Sequence, residues 1–146
     1  VARTDAGDVV GASTGIPLAD DGEAMQLPFI ERGLPLDEVF YFGESVLLPE
    51  WRGRGVGHAF FDAREAHARG AGDFRHAAFC SVRRDPTDPR APAGHRGNEA
   101  FWRGRGYLPV DGMACVLSWK ERGHAEATPH TLDFWMRTID RAEDPT

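Results

Sequence analysis

Cysteine is scarce in this sequence: there are two, Cys80 and Cys115, each set in an apolar stretch. So small a number excludes a disulfide-built scaffold and fits two buried thiols in a reducing compartment better than a bridge. Long apolar runs are missing too. Nothing approaches the ~20 residues a membrane span requires, and there is no signal-peptide pattern. The expectation is a soluble, cytoplasmic protein with no membrane partner. Basic charge is in deficit, with 17 Lys and Arg against 23 Asp and Glu and a formal net charge of −6. Phosphate backbones require a clustered basic field, so no nucleic-acid partner is expected. What remains is ordinary globular material: 41% hydrophobic and 27% charged residues, enough to bury a core. Residues 1–146 are expected to form a single domain.

The order of elements follows from punctuation and period. Val1 to Leu18 reads as a hairpin, with Asp5-Ala-Gly-Asp8 as turn chemistry and a β-branched strand from Val9. Residues 19 to 37 read mostly as loop, with a short helix near Met25. Val39 to Leu48 is an apolar, aromatic strand ending at Pro49. From Val56 the period becomes helical: Val56, Ala59, Phe60, Ala63 and Ala66 share a face, with Asp62, Arg64, Glu65 and Arg69 elsewhere. Gly70 and Gly72 close that helix. Phe74 to Val82 is apolar on both faces, as the interior of a parallel pairing requires. Residues 83 to 97 read as an exposed loop. Asn98 is expected to cap a short helix closed by Gly104 and Gly106. Tyr107 to Val110 and Met113 to Lys120 read as two strands, and the tail from Thr131 to Ile139 leans to strand. The fold class is therefore α/β, a mixed sheet with a right-handed crossover through the long helix.

One segment carries a chemical signal. Arg52-Gly53-Arg54-Gly55-Val56-Gly57 lies between a strand and an amphipathic helix. Glycines there let a ligand approach the backbone and leave N–H groups pointing outward, and the helix dipole adds partial positive charge. The result is a seat for phosphate or pyrophosphate. The spacing matches neither a Rossmann nor a Walker loop. Two plainer readings stand beside it. The glycines can simply make a tight turn. Alternatively, Trp51-Arg-Gly-Arg-Gly55 and Trp102-Arg-Gly-Arg-Gly106 form a repeated RNA-binding tract, a reading disfavoured by their folded surroundings and the acidic chain.

Pro49-Glu-Trp-Arg-Gly-Arg-Gly-Val-Gly57 resembles the pyrophosphate loop of the GNAT acetyltransferases. Asn98-Glu-Ala-Phe-Trp-Arg-Gly-Arg-Gly-Tyr107 resembles that family's later helix. Two motifs in order, spanning about residues 39 to 120, give the resemblance its specificity. It implies a mixed, mostly antiparallel sheet with a parallel strand pair around a central helix. It further implies an N-acyltransferase moving an acetyl group from acetyl-CoA to a primary amine, with a small-molecule or amino-acid-like acceptor. Coenzyme contacts are then expected at Val46, Leu47 and Leu48 on the strand, and at Arg52, Gly53, Arg54, Gly55, Val56 and Gly57 in the loop. Asn98, Phe101 and Trp102 would complete them. By the same resemblance, the strand pair splays and frees backbone N–H groups near Leu47 and Leu48 for the thioester carbonyl. GNAT folds begin with a strand and two helices, and this sequence opens in what looks like the second strand: either it is a fragment, or those elements are supplied by another chain or were removed, which would leave an exposed sheet edge. A homodimer is among the expected partners.

Acyl transfer needs a deprotonated amine, and free alkylamines have pKa values of roughly 10. Glu44 is the first candidate base, the one carboxylate inside the apolar strand Phe40-Tyr-Phe-Gly-Glu-Ser-Val46. Partial burial would raise its pKa into a useful range. Equally, Glu44 pairs with an arginine or faces solvent, and a bulge would decide which face it takes. Tyr41 and His76 are weaker candidates. The family's usual proton donor is a tyrosine on the later helix, and Trp102 stands there instead. Tyr107 is expected in the core, and Cys80 is read as a buried structural thiol rather than a pantetheine contact. The 83–97 loop is either a lid contributing His95, Asp85 and Asp88 to the acceptor pocket or a plain solvated loop. No metal site is expected, because those residues lack ligand spacing. Two alternatives remain open: an acyl-CoA-binding module without turnover, and an interaction domain whose glycine loop only makes a turn.

Overall fold

In the computed structural model, residues 1–83, 98–121, 123 and 125–139 are described. Six strands form one sheet in the order β1-β2-β3-β4-β6-β5. Strands β1 (Ala2–Arg3) and β2 (Val9–Pro17) pair antiparallel, joined through a tight turn in which Thr4 N–H donates to the Asp8 carbonyl. Helix α1 (Glu23–Glu31) lies between β2 and β3 (Val39–Leu47). Helix α2 (Val56–Ala71) carries the chain from β3 to β4 (His76–Val82), which pairs parallel to β3. The short α3 (Glu99–Gly104) precedes the antiparallel pair β5 (Leu108–Trp119) and β6 (Thr128–Thr138). The β3–β4 pair is the parallel one in an otherwise antiparallel sheet.

The sheet is the middle of three layers, and strand alternation sorts its side chains between two cores. On one face Phe40, Phe42, Phe79 and Trp135 meet Phe61 and Ala68 of α2, with Phe101 and Trp102 of α3 at the margin. On the other, Val39, Ala78, Cys115 and Phe134 meet Met25 and Phe29 of α1. The edge-to-face pair of Phe29 and Phe134, 5.1 Å between centroids, centres that second core.

Three sequence expectations need correction. The buried face of α2 consists of Phe60, Phe61, Arg64, Glu65 and Ala68, while Ala59, Ala63 and Ala66 are exposed. Two adjacent phenylalanines offer far more apolar area than alanines, so they set the rotation of the helix and carry Arg64 and Glu65 inside. The segments 107–110 and 113–120 belong to one strand, β5, whose pairing with β6 shifts register between Pro109 and Ala114. Asn98 stands at the start of α3, but its side chain makes no capping hydrogen bond. The expected lid, with Asp85, Asp88 and His95, lies outside the described residues. Among the described residues no helix is long and apolar enough to cross a membrane.

Candidate functional site

The pairing of β3 with β4 stops at Tyr41 and Ala78. Beyond that point the strands diverge, and β3 carries a bulge. Its partners on β2 run Ser13↔Ser45 and then Gly15↔Phe42, so Gly43 and Glu44 stand against Thr14 alone. Thr14 Oγ1 accepts the Glu44 N–H at 2.9 Å, and at the top of the strand Leu48 N–H donates to the Val10 carbonyl. Antiparallel alternation then directs the N–H groups of Ser45 and Leu47 the other way, into the opening left by β4. Leu48, expected to offer a free N–H there, gives it to β2 instead.

The bulge also changes which side chains face the helices. Below it, Phe40 and Phe42 face α2; above it, Leu47 does, meeting Phe60 over Gly11. Glu44 and Val46 consequently share the opposite face with Tyr41. A cleft of about 460 Å³ lies over the divergence, between α2 and α3. Phe42, Gly43, Ser45 and Leu47 form its β3 wall. Arg52 and Gly53 of the entry loop, with Gly57, Phe60, Phe61 and Arg64 of α2, form the opposite wall, and Phe79, Cys80, Asn98, Phe101 and Trp102 the remainder.

At the mouth of the cleft the chain enters α2 through two glycines in the left-handed region, Gly53 at φ 76° and Gly55 at φ 84°. Any side chain is strained at such angles. Arg52 Nε donates to the Leu47 carbonyl at 3.3 Å and ties this loop to the end of β3. Arg54 stacks on Trp51 at 4.7 Å. Of the residues singled out from sequence, Leu47, Arg52, Gly53, Gly57, Asn98, Phe101 and Trp102 line the cleft, whereas Val46, Leu48, Arg54, Gly55 and Val56 do not.

Of the two readings of Glu44, the structure has the solvent-facing one, and it places the weaker candidates elsewhere. Glu44 is exposed and outside the cleft lining. Tyr41 is packed against the α1 core, and burial first, then the neighbouring Cys80, pushes its pKa well above the ordinary phenol range. That holds the phenol protonated and removes it from the role of base. His76 pairs with Val39 at the far end of the sheet. It lines a separate, larger cavity of about 740 Å³ with Asp37, Glu38 and Arg75, far from the glycine loop. Size does not favour that cavity, because no glycine-lined helix entry opens into it. Cys80 is among the residues lining the cleft, but its side chain packs against the α1 core beside Tyr41, where burial raises its pKa, and Cys115 approaches Met25 Sδ at 3.7 Å; both thiols are free. Trp102 packs between Phe79 and Trp135, each 5.0 Å away. Among the described residues no cluster of three metal-ligating side chains occurs.

The sequence reading missed the charged interior of α2. Glu65 accepts Tyr107 OH at 3.0 Å, Arg137 Nη1 at 3.0 Å and Arg105 Nη2 at 3.1 Å. One buried carboxylate thus joins α2, the end of α3 and β6. Arg64 is 7% exposed, lies 4.6 Å over Phe42 and 4.9 Å over Phe61, and donates through Nη1 to the Thr14 carbonyl at 3.3 Å. Among the described residues its Nε is buried without a hydrogen-bond partner. Burial brings its pKa down to about 10, which leaves it cationic at neutral pH.

No family model and no curated protein matches this chain. Solved structures do. Naa20 of Chaetomium thermophilum, in complex with a bisubstrate analogue, matches 97% of this chain at 19% identity and a TM-score of 0.60. Nourseothricin acetyltransferase matches 94% at 19% identity, TM-score 0.54. An acetyltransferase of the GNAT family from Staphylococcus aureus Mu50 matches 94% at 10% identity, TM-score 0.54. The chain covers 65%, 62% and 65% of those three structures, a little under two thirds of each. At such identities the likeness is one of fold, and the fold of this chain is that of the GNAT acetyltransferases.

Proposed function

We propose that residues 1–146 act as one domain that transfers an acetyl or closely related acyl group from acyl-CoA to a primary amine. The acceptor is a small-molecule or amino-acid-like amine, and the reaction is a direct attack within a ternary complex. The observation that carries this reading is the divergence of β3 from β4 directly beside a left-handed glycine entry to α2. Names among the similar structures support it, since nourseothricin acetyltransferase takes its name from a small-molecule acceptor.

The residues fit a coenzyme of this kind. The N–H groups of the loop from Arg52 to Gly57, with the positive end of α2, suit a pyrophosphate. The apolar cleft between Leu47, Phe60 and Phe101 suits a pantetheine arm. Bound acyl-CoA supplies the thioester; the chain's own groups orient it and stabilise charge. One of the outward N–H groups of Ser45 and Leu47, which stand ~6.8 Å apart on the strand, is a fixed donor for the carbonyl oxygen as it becomes an oxyanion, a role that is worth about 2.7–4 kcal/mol in other acyl-transfer sites; the other is left for the pantetheine arm. The amine lone pair forms the C–N bond, the C–S bond breaks, and sulfur departs with the bonding pair. The amine gives up its proton on the Glu44 face of β3, where an exposed carboxylate accepts it directly or through water. Tyr41, protonated on the same face, donates a hydrogen bond to the acceptor. A thiolate with a pKa of roughly 8.5 leaves without an acid, so Trp102 in place of a tyrosine does not preclude turnover.

Calorimetric titration of acetyl-CoA tests the reading. Gly57→Leu is the informative variant, because Gly57 has ordinary helical geometry and an added Cβ would meet only Phe101, at 3.6 Å. Saturable binding that disappears in Gly57→Leu is the expected result. Glu44→Gln should then slow thiol release with binding unchanged. Binding without thiol release for any amine would leave an acyl-CoA-binding module, the reading that Trp102 favours. No binding would end both.

A further inference from the structure

Arg64 is not accounted for by the fold. A buried guanidinium normally gains a carboxylate partner, since desolvation of an unpaired ion costs several kcal/mol. The neighbouring Glu65 is already engaged by Tyr107, Arg105 and Arg137. Among the described residues Arg64 has the Thr14 carbonyl, two aromatic faces and an Nε with no hydrogen-bond partner. It also lines the cleft, at the level of Phe42, where β3 and β4 converge. From Gly57 to Arg64 the helix descends about 10 Å, from the phosphate seat to the closed end of the cleft.

We propose that Arg64 receives the distal carboxylate of a dicarboxylic acyl group, so that the preferred donor is an acyl-CoA of the malonyl or succinyl class. The inference rests on the coenzyme reading above. A thioester carbonyl held by the N–H of Ser45 or Leu47 leaves the acyl chain directed down the cleft towards Phe42 and Arg64. An acetyl group carries no charge to pair with the guanidinium, whereas malonyl and succinyl chains, one and two carbons longer, end in a carboxylate that does. Acceptor carboxylates are the weaker match, because Glu44 and Tyr41 mark the opposite face of β3 as the acceptor side. The Phe42 and Phe61 rings flanking Arg64 exclude water and strengthen a charge-assisted pair there. The reaction itself is unaltered: the amine–carbonyl C–N bond forms, the C–S bond breaks, one proton leaves the amine, and the distal carboxylate takes no part.

The test is calorimetric affinity for CoA, acetyl-CoA, malonyl-CoA and succinyl-CoA on the full chain. Malonyl- or succinyl-CoA should bind at least about tenfold tighter than acetyl-CoA, the scale of one charge-assisted contact. In Arg64→Met that ratio should fall close to one. Should Arg64→Met fail to fold, Arg64→Lys, which keeps the charge but loses the planar fork, should lower the ratio without abolishing it. Equal or weaker affinity of both dicarboxylic donors for the wild-type chain, with CoA and acetyl-CoA still bound, overturns the proposal alone. Failure of every CoA species to bind overturns the coenzyme reading and this proposal with it.

Discussion

At the scale of single residues, burial has opposite effects on the two charges that α2 carries inward. Glu65 is held by three donors, Arg105 and Tyr107 from the α3–β5 connection and Arg137 from β6, and its charge is compensated. Arg64 is held by one carbonyl and two rings, and is not. The two tyrosines give a measurable consequence. The chain contains only Tyr41 and Tyr107, and burial raises both pKa values above the ordinary phenol range, with Glu65 adding to the rise for Tyr107. A raised folded pKa means that the unfolded chain releases its proton first, at about pH 10, so this contribution to stability is intact below about pH 10 and is lost as pH rises beyond it. Tyrosinate absorbance should therefore be absent from the folded protein near pH 10 and appear together with alkaline unfolding. In denaturant both tyrosines should titrate at about 10. A phenol titrating normally in the folded chain would contradict the packing of Tyr41 or Tyr107.

At the scale of elements, the β3 bulge decides what the cleft can do. It re-aims Glu44 and Val46 away from α2, and it depends on Gly43 lying against Thr14. A Cβ on Gly43 would collide with Thr14 Oγ1, the atom that accepts Glu44 N–H. Gly43→Ala should therefore destabilise the fold by about 1–2 kcal/mol, through crowding and loss of that hydrogen bond. Thr14→Ala in the same background removes the collision. The double variant should then be more stable than the sum of the two single changes predicts, as denaturant unfolding of the four chains would reveal. Strict additivity would mean that the bulge does not rest on this contact. The alternation from Phe40 to Val46 was legible in sequence, but the extra residue in the ladder was not, because Thr14 is some thirty positions away and nothing local to β3 announces it.

At the scale of the molecule, the two cores and the cleft form one system. The β3–β4 pair is closed from Val39 to Tyr41 and open above, so a ligand wedged in the cleft bridges strands that pair only at their lower ends. Acetyl-CoA at about a hundred times its Kd should stabilise the folded chain by about 2.7 kcal/mol. For a chain of this size that corresponds to a Tm higher by roughly 5–10 °C, and Gly57→Leu should show none of it. A shift of equal size in both proteins would place binding elsewhere.

The sequence by itself determined the strand–helix–strand core from Val39 to Val82 and the glycine entry to α2. Their signals are local: an apolar aromatic run, glycines at a strand–helix junction, and a helical period with glycine stops. It also carried both motifs behind the GNAT resemblance. Tertiary structure alone decided the rest. The rotation of α2 followed from competition between two phenylalanines and several alanines for the sheet, which a count of apolar positions misjudged. That rotation put Arg64 in the cleft and Glu65 among Tyr107, Arg105 and Arg137, partners at least forty residues away. The face of Glu44 depended on a bulge formed with another strand, and the free N–H groups of Ser45 and Leu47 depended on where β4 leaves β3. A residue's type fixes which interactions it can make; which of them it does make is settled by the distant segments that folding brings beside it.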